Sequence, residues 1–83
     1  MPNETDQTPT QDRRFWVWGG RFRSVAHACV PEPSAADVVG DHVRLGPLTL
    51  VEAEREWQAL MRRGVDVAEY RVLIADREPP PTP

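Results

Sequence analysis

The chain has no lysine, and all ten of its basic residues are arginine. It carries one cysteine, Cys29, and two histidines, His27 and His42. A single cysteine excludes an internal disulfide and a cysteine-based zinc site. The histidines do not form a His-x-x-x-His pair, so no metal spacing is present. No apolar run approaches the roughly 18–20 residues of a transmembrane helix. The start lacks a basic stretch followed by an apolar one, so no signal peptide is expected and the default location is the cytoplasm. A formal net charge of −3 argues against a dedicated nucleic-acid binder. Cys29 reads as a small, partly buried apolar residue.

What remains fits one small domain. A length of 83 residues allows no more than that, and its core must be marginal. The hydrophobic share of 40% and the charged share of 28% suit a globular chain. Residues 1–12 are polar without apolar period and read as a disordered tail. Residues 78–83, EPPPTP, read as a second, proline-rich tail that samples polyproline II. The domain is expected over residues 13–77.

Within it, Phe15-Trp16-Val17-Trp18 is aromatic and β-branched and predicts a strand, with Gly19-Gly20 as the bend that ends it. Residues 21–30 have no clean period and allow a short strand pairing back through that turn. Pro31 and Pro33 force an extended link. Ser34-Ala35-Ala36-Asp37 suits one capped helical turn, and Gly40-Asp41 is a turn signal. His42-Val43-Arg44-Leu45 alternates as a half-buried strand, ended by Gly46-Pro47. Thr49 stands three residues before Glu52, the spacing of a capping box. Ala53, Trp57, Leu60 and Met61 then share one helical face, Arg62 and Arg63 suit the C-terminal dipole, and Gly64 is a stop. The predicted helix is Leu50–Arg63. Tyr70–Ala75 alternates as a closing strand.

The predicted fold is α+β: a small antiparallel or mixed sheet of three to four strands with one amphipathic helix on one face, in the order β-(β)-β-α-β. The helix side would carry Phe15, Val17, Val43, Leu45, Tyr70, Val72 and Ile74. Alternation then sends Trp16, Trp18, His42, Arg44, Arg71 and Leu73 to the other side. Exposed tryptophans beside arginines form the kind of patch that marks a contact site. Three outcomes compete for that side: cover by a protein partner or a second copy, stacking of nucleobases or a planar ligand, or burial under residues 21–30 folded back.

Catalytic constellations are missing. His27 and Cys29 would share a strand face but have no orienting third group. Glu52, Glu54, Glu56 and Glu69 suit capping and solvation, and Ser24 and Ser34 lack a nucleophile-elbow context. No enzyme, cofactor or metal is expected.

Two stretches carry a resemblance. FWVWGGRF, at Phe15–Phe22, and GPLTLVEAEREWQALMRRGVDVAEYRVLI, at residues 46–74, resemble a family of small bacterial proteins, domain-of-unknown-function family 4170. The second stretch, with VRLGP before it, is also similar to half of a sporulation-related repeat domain, which binds septal glycan on its sheet. Both imply a sheet packed on one side by helix, and the first implies no known activity. The functional expectation is a non-catalytic interaction module or accessory subunit whose open sheet face takes a protein partner or its own copy. The alternative is a small regulatory module that binds nucleic acid or a planar ligand there, supported by Arg13, Arg14, Arg21 and Arg23.

Overall fold

The computed structural model describes residues 14–80. The N-terminal tail expected over 1–12, together with Arg13 and residues 81–83, lies outside the described residues. The elements are β1 (Phe15–Phe22), α1 (Val25–Ala28), a 3-10 turn (Ala35–Asp37), β2 (Val38–Leu48), α2 (Leu50–Arg63) and β3 (Tyr70–Ala75). They form a small α+β fold with a three-stranded antiparallel sheet in the order β2-β1-β3 and one main helix. With β1 central, β2 and β3 run in the same direction on either side of it. The connection through α2 therefore crosses over β1.

The first strand does not stop at the glycines. β1 runs through Gly19 and Gly20, with φ of 147° and 139°, regions that L side chains rarely adopt. A Cβ on Gly19 would stand 2.1 Å from the Arg71 carbonyl oxygen. One on Gly20 would stand 2.6 Å from the Asp41 carbonyl oxygen. Glycine is thus needed because the flanking strands press on the central one, not because the chain turns. The local Gly-Gly signal is the same in both cases, which is why it misleads.

β2 is likewise longer than its alternating stretch. It uses 11 residues against the 8 of β1, and the excess is taken up at three register shifts. One falls near Asp41, whose φ is 49°, and another beside Gly46-Pro47, a cis peptide. Gly40-Asp41 and Gly46-Pro47 are therefore bulges inside a strand rather than its ends. The fourth strand allowed for residues 21–30 does not form. Arg21 and Phe22 complete β1, Ser24 caps α1 by accepting from the His27 N–H, and the chain then crosses the sheet.

α2 begins and ends where its sequence signals lie. Thr49 accepts from the Glu52 N–H at 3.2 Å, and Glu52 accepts from the Thr49 N–H at 3.0 Å. Each side chain satisfies a backbone donor that the first helical turn leaves free. Gly64 closes the helix with φ of −101°, an ordinary value. Its lack of a side chain matters for packing instead, because a Cβ there would meet the Tyr70 ring at 2.0 Å.

The main core joins Phe15, Val17, Ala53 and Val72, with Val43, Leu48, Trp57, Leu60, Met61, Tyr70 and Ile74 packed around it. Val17 and Ala53 are fully buried. Trp57 is half-buried, and its indole N–H donates to the Val72 carbonyl at 2.6 Å. Leu45 lies opposite Val17 in register yet is exposed. An open groove of about 710 Å³ separates α2 from β2 there, bordered by Val43, Leu45, Leu60, Arg63 and Tyr70. Among the described residues, no helix is long and apolar enough to cross a membrane.

Candidate interaction face

Register places five of the sequence-predicted residues, Trp16, Trp18, Arg44, Arg71 and Leu73, on the side away from α2. Trp18 pairs with Arg44 on one flank and Leu73 on the other, Trp16 pairs with Ala75, and Arg71 pairs with Gly20. This side has a second, smaller core. Phe22, Ala28 and Val38 are buried together, with Trp18 and Leu73 packed on them. Trp18 and Phe22 stand 6.4 Å apart, ring centre to ring centre, at a tilt of 57°. That geometry is favourable for an aromatic pair.

Two pieces of chain lie over the face. The first is α1 and the segment after it. Arg71 reaches across and donates to the carbonyls of Ala28 at 2.7 Å and Val30 at 2.9 Å. Arg23 pairs with Asp37 at 3.0 Å and ties the ends of the same segment together. Folding back of this segment, one of the three competing outcomes, therefore occurs over the Phe22 end of the sheet. The second piece is residues 78–80, grouped by sequence with the tail. Pro79 is buried. Arg44 donates to the carbonyls of Pro79 at 2.7 Å and Pro80 at 3.1 Å, and its other nitrogen meets the Glu78 carboxylate at 3.0 Å. Ordered packing thus extends past residue 77, beyond the expected domain end.

Arg44 and Arg71 accordingly hold parts of their own chain. His42 is exposed, and its ring Nε2 donates to the Val38 carbonyl at 3.2 Å. It borders a small crevice with Trp18, Val38, Arg44, Pro79 and Pro80. What the cover leaves is the strip Trp16, Trp18, Leu73 and Ala75, all half-buried. Trp16 rests on Gly46, where a Cβ would stand 2.4 Å from its Cδ1. Among the described residues, neither the Trp16 nor the Trp18 indole N–H has an acceptor, and no polar side-chain atom is buried without one. Both N–H groups therefore reach solvent, unlike that of Trp57.

Ser24 Oγ and His27 Nδ1 are 2.6 Å apart, but Ser24 is also the cap of α1, so the pair closes a helical turn. Cys29 is exposed, against the expectation of partial burial, because it sits at the C-terminal cap of α1 rather than on a strand. Arg21 lies 3.9 Å from Asp41, so it and Arg23 both face aspartates. Among the described residues, no group of three or more His, Cys, Asp or Glu side chains could hold a metal ion. Burial raises the Tyr70 phenol above its ordinary value of 10.0, with Arg63 opposing the shift and Asp41 adding to it. Comparison with protein-family models, with curated proteins and with solved structures finds no match to this chain.

Proposed function

We propose that the protein is a non-catalytic interaction module, an accessory subunit that takes a protein partner or a second copy of itself on the sheet face opposite α2. The observation that carries this reading is the pair Trp16 and Trp18, half-buried with their N–H groups open to solvent. A large apolar body with a polar tip at the water boundary is what makes tryptophan frequent among binding hot spots. Leu73 and Ala75 extend the same strip. The nucleic-acid alternative draws less support, because Arg21 and Arg23 face aspartates and Arg44 and Arg71 hold carbonyls of their own chain.

Trp16→Ala tests the reading, since Trp16 lies outside both buried clusters. The measurement is a native pull-down from the source lysate with sedimentation of the purified chain. The expected result is a stoichiometric complex, or a homodimer, that the variant loses while its circular dichroism is unchanged. Capture of nothing by the wild type, together with a monomer at every concentration, would overturn it. Recovery of nucleic acid that weakens steeply between about 50 and 200 mM salt would transfer the face to the alternative.

A further inference from the structure

Residues 78–80 are held by a particular chemistry. Proline has no backbone N–H, so a proline pair offers carbonyl acceptors and apolar rings but no donors. Arg44 meets this with one nitrogen on two successive proline carbonyls and another on the preceding glutamate. Trp18, Val38 and His42 complete the wall of the crevice that Pro79 and Pro80 border. An aromatic surface with donors aimed at carbonyls is how proline-rich segments are recognised generally, because the extended proline backbone loses little entropy on docking. The neighbouring Trp16 and Trp18 keep unused N–H donors on the same side. A longer proline segment would find further donors along the strip.

We propose that the Trp18–Arg44 crevice is a recognition site for an acidic-proline-proline segment, filled here by the chain's own Glu78-Pro79-Pro80 and taken over by such a segment of a partner protein. The proposal rests on the interaction-face reading and names its partner class. The acidic residue is part of the specificity, because the Arg44 nitrogen not facing the proline carbonyls would otherwise lack its carboxylate. The internal segment competes as a tethered ligand, so the free site is a minor fraction of the molecules and the apparent affinity for a partner falls by that fraction.

The test uses the full-length chain with Pro79→Ser and Pro80→Ser, which empties the crevice of both proline rings, and the synthetic peptide REPPPTP as probe. Three indole N–H resonances, from Trp16, Trp18 and Trp57, report the outcome. The peptide should shift the Trp18 resonance saturably in the emptied chain and leave that of Trp57 in place. Wild type should need about tenfold more peptide or above, for a site open in about a tenth of molecules or fewer. Adding Arg44→Ala to the emptied chain should abolish the shift, and a peptide with serine at each proline should not bind. Glu78→Gln, which keeps both prolines, should move the wild-type midpoint part of the way. No shift in the emptied chain would overturn the proposal, as would equal binding of the serine peptide. A wild-type dimer lost on Pro79→Ser and Pro80→Ser would give the site to a second copy's tail and overturn the choice of a partner. A complex that depends on Trp16 but survives Arg44→Ala would overturn this proposal while leaving the interaction-face reading intact.

Discussion

Replacing Gly19 by alanine separates a central strand from a bend more cleanly than any other change. In the strand, the new Cβ would lie 2.1 Å from the Arg71 carbonyl oxygen and 2.9 Å from the Val72 Cα, both backbone atoms held in the sheet. Ordinary contact begins at 3.4 Å, so β3 would have to move away by more than an ångström. That separates Trp18 from Leu73 and Gly20 from Arg71, the paired positions on either side. Two ladder hydrogen bonds at about 1 kcal/mol each give a loss of about 2 kcal/mol. The positive φ adds about 1–2 kcal/mol for a residue with a side chain. The total of about 3–4 kcal/mol is a large share of the roughly 5–15 kcal/mol that holds a domain together, and this domain belongs at the low end. Gly40→Ala is the control. The three atoms nearest its Cβ all belong to the end of the Arg21 side chain, which is flexible and half-exposed, so the change should stay within about 0.5 kcal/mol. Urea unfolding followed by tryptophan fluorescence measures both. Gly19→Ala should lower the midpoint sharply or abolish the cooperative transition, while Gly40→Ala leaves it in place. Equal, small effects of the two would refute a β1 that runs through Gly19 between two partners.

Two other perturbations follow from side-chain geometry. Trp57→Phe keeps a ring in the core but removes the donor to the Val72 carbonyl, so stability should fall by about 1 kcal/mol plus the loss from the smaller ring, read as a lower urea midpoint. Tyr70 is the only tyrosine, so its ionisation can be followed by tyrosinate absorbance. Because its folded pKa is raised, the unfolded chain releases the proton first. Its contribution is therefore whole below pH 10.0 and is lost as pH climbs through the folded value. Tyr70→Phe should remove that alkaline loss, and a titration midpoint at or below 10.0 in the folded protein would contradict the burial.

The parts of the fold that depend on near neighbours were readable in the residues. α2 is one, since Thr49, Glu52 and the apolar face of Ala53, Trp57, Leu60 and Met61 all act within the helix itself. The α+β class follows from that helix and three alternating segments. Where distant residues decide, local signals mislead. Gly19 and Gly20 look like a turn until Arg71 and Asp41 are brought against them. Gly46-Pro47 looks like a strand end until Phe15 pairs across from Leu48. For the candidate face, alternation places Trp18, Arg44 and Leu73 side by side. The cover over them could not be read, because it is made by Arg71 reaching Ala28 and Val30, and by Arg44 reaching Pro79 and Pro80, more than 30 residues away in each case.

The irregularity of β2 has a bearing on how such a small sheet avoids copying itself. A three-stranded sheet has two open sides, and a straight, unoccupied strand on either is a template for another chain. Here one border is bent three times by its surplus residues, so no incoming strand could follow it in step for more than a few residues. On the other border, Trp57 already occupies the Val72 carbonyl. Growth of the sheet by strand addition is thus interrupted along β2 wherever the register shifts, and along β3 at the one carbonyl that Trp57 takes.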